Sequence, residues 1–156
     1  NSKGACEVAN DNSNSQIILS GDKSAIDEIS EILKKNKKKS IPLPVSAPFH
    51  CSLMKPAARN MEKNIIKTKF YDPSVQIVSN VTAQATTNSD KIKKLLIEQI
   101  FSKVRWRESV EYMINNGVKE FVEIGPGKVL SGLIKRINDK VLSKSINTID
   151  DIKNLK

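Results

Sequence analysis

Apolar residues along the chain fall at two spacings, short unbroken runs and three-to-four-residue intervals, and the alternation of the two predicts a mixed α/β fold. Residues 5–10 and 16–20 read as short strands, the second built on Ile17-Ile18-Leu19 and closed by Gly21. Asp11-Asn12-Ser13-Asn14-Ser15 supplies turn chemistry between them. A helix over 23–35 follows, capped by Asp22 and carrying Ile26, Ile29, Ile32 and Leu33 on one face, and it leads to a strand at 40–45. Met54, Ala57, Ala58, Met61 and Ile65 mark the next helix, with Ser52 as N-cap and Pro56 near the start, where a missing N–H costs little.

In the second half, residues 75–79 read as a buried strand flanked by Asp72-Pro73 and Asn80. Asn88-Ser89-Asp90 caps a helix bearing Ile92, Leu95, Leu96 and Ile100, and Trp106, Val110, Met113 and Ile114 mark another that ends at Gly117. Phe121-Val122-Glu123-Ile124 is a parallel-type strand that runs into Gly125-Pro126-Gly127 and then a helix with Val129, Leu130, Leu133, Ile134 and Ile137. A glycine turn in that position can cradle a phosphate, although a tight structural turn is the commoner use. Thr148 with Asp151 makes a capping-box start to a short helix of Ile149, Ile152 and Leu155.

The length of 156 residues suits one domain or parts of two. No apolar run is long enough to cross a bilayer as a helix and no signal peptide is visible, so no membrane association is expected. Cys6 and Cys51 define neither a metal spacing nor a disulfide framework, and read as free thiols in a reducing compartment. The net charge of +9 raises a nucleic-acid reading, yet the lysines concentrate in Lys34-Lys35-Asn36-Lys37-Lys38-Lys39 with few aromatics interleaved. Such a run is usually a solvated helix end, and it also suits an acidic protein partner.

One residue stands out chemically. His50 is the only histidine, and the run Val45-Ser46-Ala47-Pro48-Phe49-His50-Cys51-Ser52-Leu53-Met54-Lys55-Pro56 delivers it on a Pro-stiffened segment to a helix mouth. An imidazole there can accept a proton near neutral pH. On residue type alone a hydrogen-bonded structural histidine is the commoner outcome, and a Cys51-His50 nucleophile is disfavoured because adjacent side chains point apart.

That run, together with Ser102-Lys103-Val104-Arg105-Trp106-Arg107-Glu108-Ser109-Val110 and Glu123-Ile124-Gly125-Pro126-Gly127-Lys128-Val129-Leu130-Ser131-Gly132-Leu133, resembles the malonyl-CoA:acyl carrier protein transacylases of fatty-acid synthesis in both order and spacing. The resemblance extends from about Ala5 to about Asp139. It implies residues 1–48 as the remaining part of a ferredoxin-like small subdomain, and 49–156 as the C-terminal part of a large, α/β-hydrolase-like domain with a parallel sheet. Members use a serine in a Gly-x-Ser-x-Gly elbow, absent from this sequence, with an arginine and an oxyanion loop, both expected upstream. The chain therefore resembles the downstream half of such an enzyme, inactive by itself, with the N-terminal half as its first partner. Its start at Asn1 without a methionine is then a cleavage or cloning boundary, or follows a loop not included.

By the same resemblance His50 is the general base and acid that activates the serine, and the main-chain carbonyl of Gln99 orients its ring, with Glu98 as the alternative partner. Gln99 read without the resemblance is an exposed helix residue. Phe49 matches the position linked to a preference for malonyl over branched acyl groups, and packing beside the cleft is an equally ordinary role. Asn10 and Asn12 match a turn near the acyl pocket, where Asn14-Ser15 replaces the family's Pro-Gly, so turn stabilisation is an alternative role for both asparagines. Coenzyme A thioester and the phosphopantetheinylated acyl carrier protein are the implied substrates, with no metal or bound cofactor, in a bacterial cytoplasm or a plastid-type organelle. A basic nucleic-acid-binding domain and a catalytically dead scaffold are the competing classes; no nucleic acid is expected as a partner.

Overall fold

The computed structural model describes residues 4–154. Strands β1 (Cys6–Ser13) and β2 (Gln16–Gly21) form an antiparallel hairpin. The expected five-residue turn is shorter than the sequence suggested. β1 continues through Ser13, and the bend is confined to Asn14-Ser15, where the Ser13 hydroxyl accepts the Ser15 N–H at 3.4 Å. Bulges between Val8 and Asn10, and between Asp11 and Ser13, let the strand absorb the residues that sequence pattern had assigned to the turn. Gly21 is required where it stands, because a Cβ there would meet the Ala5 carbonyl oxygen at 2.0 Å.

Helix α1 (Lys23–Lys35) follows with Asp22 at the N-cap position, but the Asp22 carboxylate accepts the Ala5 N–H at 2.7 Å instead of capping the helix. Its C-terminal lysines are exposed, where they complement the helix dipole. The expected strand at 40–45 does not form. Pro42 and Pro44 remove two N–H donors from six residues, and Ile41, Leu43 and Val45 all remain exposed.

A 3-10 turn (Ser52–Met54) leads into helix α2 (Lys55–Lys67), which carries Pro56 in its first turn. Met54 and not Ser52 occupies the N-cap position of α2. The expected strand at 75–79 contracts to β3 (Ile77–Val78), paired antiparallel with β4 (Ala85–Thr86), and Val75 and Ile77 are exposed where burial had been expected. Helix α3 (Ser89–Glu98) is capped by the Asn88 side chain on the Lys91 N–H at 2.7 Å, and α4 (Trp106–Asn115) ends ahead of Gly117.

Strand β5 (Glu120–Ile124) pairs in parallel with β6 (Leu142–Ile146) across helix α5 (Val129–Ile137), a βαβ unit. The Leu-Ser-Lys-Ser-Ile pattern of β6 has too few apolar residues to be read as a strand from sequence. The last helix, α6 (Ile149–Lys153), carries the expected capping box of Thr148 and Asp151; Leu155 lies outside the described residues.

The hairpin is tied to the rest of the chain at α4. Arg107 makes a two-pronged ion pair with Asp11, Nε to Oδ1 at 3.0 Å and Nη2 to Oδ2 at 2.8 Å. Alongside it the Asp11 N–H donates to the Val104 carbonyl at 2.9 Å, and the Val104 N–H to the Ala9 carbonyl at 2.8 Å. The planar guanidinium fork matches the carboxylate, which keeps Arg107 charged and its pKa raised. Cys51, Ala58, Val110, Leu133 and Ile134 belong to the buried core, whereas Ile124, Val129 and Leu142 are 81%, 70% and 62% exposed around the parallel unit.

Candidate active site

His50 sits in a turn between the proline-rich segment and the 3-10 turn, with φ of +59°. Left-handed backbone is uncommon for a residue with a Cβ, and it persists only where its surroundings enforce it. Three contacts hold this turn. The Phe49 N–H donates to the Ala47 carbonyl at 3.0 Å, closing the bend ahead of the histidine. Cys51 is fully buried and its thiol donates to the Pro48 carbonyl at 3.1 Å, which makes it an anchor and removes it from contention as a nucleophile. On the far side both carboxylate oxygens of Glu7 lie 3.2 Å from the Ser52 N–H, and the Ser52 hydroxyl donates to Glu7 Oε1.

The imidazole meets the end of helix α3. His50 Nδ1 lies 3.0 Å from the main-chain oxygen of Gln99, 49 residues further along. Gln99 is the C-cap of α3, and its own N–H donates to the Leu95 carbonyl at 2.9 Å. Its carbonyl is therefore among those a helix leaves without an internal partner at its C-terminus. A carbonyl can only accept, so Nδ1 carries the proton in this bond and, in the neutral ring, Nε2 keeps a free lone pair. The chemical result is a half-buried imidazole whose orientation and tautomer are set by the backbone and whose second nitrogen is available as a proton acceptor. The Glu98 side chain on the same turn is exposed.

Phe49 is 47% exposed beside the histidine. Asn10 and Asn12 lie on β1, not in a turn; Asn12 is buried, and Asn10 bridges to Val104 in parallel fashion. Neither asparagine is hydrogen-bonded to His50 among the described residues. Lys55 holds its ammonium 5.9 Å from the centre of the Phe101 ring, two residues past Gln99. Lys103 and Arg105 are not free charges, since both pair with Glu108, whose carboxyl is held below its ordinary range chiefly by Arg105. Glu7 is the residue that sequence reasoning missed. Its contact spans 45 positions, and a glutamate in a short strand carries no local signal.

The Gly125-Pro126-Gly127 turn is filled by the protein's own chemistry. Glu123 accepts the Leu130 and Ser131 N–H groups at 3.0 and 2.8 Å, placing a carboxylate at the α5 N-terminus where a phosphate would sit. Those bonds lower the Glu123 pKa, that to Ser131 first. Gly125 and Gly127 have φ of +139° and +97°, backbone that side chains other than hydrogen rarely adopt. No cluster of three His, Cys, Asp or Glu residues with metal-binding geometry occurs among the described residues. No helix among them is long and apolar enough to cross a membrane.

No protein-family model matches the chain. It is 42% identical over 153 residues to the malonyl CoA-acyl carrier protein transacylase of Escherichia coli K12, which matches 92% of this chain and is itself matched over 50% of its length. An acyl carrier protein S-malonyltransferase from Vibrio cholerae superposes with a TM-score of 0.93 at 39% identity, covering 99% of this chain and 51% of its own. A malonyl-transacylase solved in complex with its type II PKS acyl-carrier protein gives a TM-score of 0.90 at 35% identity, over 96% of this chain and 49% of that one. The chain thus spans about half the length of the curated relatives it matches.

Proposed function

We infer that this chain is the histidine-bearing half of a malonyl-CoA:acyl carrier protein transacylase, the family to which it is similar over more than nine-tenths of its length. The observation that carries the reading is the 3.0 Å contact from His50 Nδ1 to the Gln99 carbonyl, which leaves Nε2 as the proton acceptor. The nucleophilic serine, the carboxylate-binding arginine and the oxyanion donors come from the other half. Residues 1–48 belong to a small ferredoxin-like subdomain and 49–156 to the large α/β-hydrolase-like domain, a division supported by the β1, β2, α1 order ahead of the βαβ unit.

In the first half-reaction His50 Nε2 takes the serine proton as the serine oxygen attacks the malonyl thioester carbonyl. The resulting imidazolium returns that proton to the coenzyme A sulfur as the carbon–sulfur bond breaks, leaving malonyl-serine. In the second, the thiol of the carrier protein's phosphopantetheine gives its proton to Nε2 and attacks the ester. The proton then returns to the serine oxygen as malonyl-thioester leaves. The Gln99 carbonyl holds Nδ1–H through both steps, the role a carboxylate has in many hydrolases. No metal and no resident cofactor enters this scheme. Phe49 borders the acyl group, Asn10 and Asn12 belong to the strand beside the pocket, and the basic surface receives the acidic carrier protein. The compartment that suits this chemistry and two free thiols is the cytoplasm or a plastid-type organelle.

The test is His50→Ala in the complete enzyme. Turnover is expected to fall by at least ~10²-fold, the worth of a positioned acid/base, with the malonyl-serine burst lost. Unchanged turnover with lower thermal stability would leave His50 a structural residue.

A further inference from the structure

We propose that Glu7 is a positioning residue for His50, acting through Ser52. The proposal rests on the reading of His50 as the proton acceptor and extends it to how the imidazole is aimed. Two facts together carry it. The first is that His50 is held at φ +59°, a backbone state that reverts to the commoner right-handed or extended regions unless both flanks are fixed. The second is that the contact fixing the C-terminal flank comes from another element altogether. Glu7 on β1 receives the Ser52 N–H at 3.2 Å on each carboxylate oxygen, and the Ser52 hydroxyl as well.

Ser52 is the first residue of the 3-10 turn that leads into α2, and its N–H has no acceptor within that turn. A carboxylate there satisfies an orphan donor with a charge-assisted bond and suits the positive end of the helical segment. It also fixes the peptide between Cys51 and Ser52. That peptide and the buried Cys51 set the direction in which His50 leaves the backbone, and the Gln99 carbonyl then fixes the ring. The imidazole is thus located by two elements of opposite origin, α3 through Gln99 and β1 through Glu7. An ordinary helix cap would need only the N–H contact. The additional hydroxyl contact, two residues from a strained histidine, locks the turn as a unit.

The experiment uses the complete enzyme and three variants, Glu7→Ala, Glu7→Gln and His50→Ala, with kcat, KM for malonyl-CoA and thermal melting measured on each. Glu7→Ala is expected to lower kcat about tenfold with KM changed less than about twofold, because a misaimed base affects the chemical step and not the binding of substrate. Glu7→Gln keeps an oxygen that accepts from Ser52 and is expected to restore most of kcat. A melting temperature that falls with an unchanged kcat in folded Glu7→Ala would overturn the proposal and leave Glu7 a stabilising cap. If Glu7→Ala fails to fold, Glu7→Gln decides: a folded Gln variant with kcat about one-tenth of the parent or lower would show that charge and not aim is what Glu7 supplies, against the proposal. His50→Ala separates the two readings. Full turnover there removes His50 as the base, whereas its loss alongside a normal Glu7→Ala removes the positioning role alone.

Discussion

Gln99 meets His50 through its main chain, and that distinction divides two substitutions at one position. Gln99→Ala keeps the carbonyl 3.0 Å from Nδ1 and is expected to leave turnover of the complete enzyme within about twofold of the parent. Gln99→Pro removes the N–H that donates to the Leu95 carbonyl and clashes with the preceding turn, at a cost of about 3 kcal/mol, and so is expected to lose activity together with stability. Steady-state kinetics with melting curves check both; a Gln99→Ala enzyme that folds normally but is as slow as His50→Ala would make the side chain the partner. The residue-level legibility of the site follows from the same chemistry. His50 was readable as a singular imidazole at a helix mouth, and Gln99 only through resemblance, because a backbone acceptor has no residue-type signature. Glu7 was not readable at all, since a side chain that contributes by reaching another element leaves no mark in its own neighbourhood.

Among the elements, those stabilised by local periodicity were legible and those that depend on a neighbour were not. Helices α1 to α5 show their apolar stripes in sequence, and α6 its capping box. Strand β6 forms because β5 lies beside it, not because Leu-Ser-Lys-Ser-Ile has strand character, and 40–45 fails as a strand because its prolines cannot complete a ladder. The β5–α5 junction offers a test at this scale. Glu123 is anchored by the Ser131 and Leu130 N–H groups, and its carboxyl is held below the ordinary carboxylate range. A group with a depressed native pKa stabilises the fold above its unfolded pKa, and that contribution is lost as pH falls through the native one. Glu123→Gln is therefore expected to melt lower than the parent at pH 7, and the gap is expected to narrow as pH falls below about 4, into and beneath the usual carboxylate range. A gap that stays constant down to about pH 2.5 would show that Glu123 acts through shape and not charge.

For the molecule as a whole, the distribution of exposed apolar side chains bears on what the chain can do by itself. Val122 and Ile124 alternate with Phe121 and Glu123 on β5, and it is the Val122/Ile124 face that stands open, at 44% and 81% exposure. A parallel strand is ordinarily covered on both faces, so this one is built to be buried by further structure. The relatives are twice as long, and on the proposed reading the missing half supplies both that cover and the serine. On the same reading what the chain brings is the base: His50, the Gln99 carbonyl it meets and the Glu7 contact to Ser52 all lie within residues 4–154. The isolated chain is therefore expected to fold without transferring malonyl groups from coenzyme A to carrier protein. Supplying the serine-bearing half as a separate polypeptide should restore transfer and, in the same mixture, slow amide exchange along β5 as its open face is covered. Transfer by the chain alone, free of host enzyme, would overturn the reading of it as half of a site. Restored transfer with no change in exchange at β5 would instead place the joining surface elsewhere on the molecule.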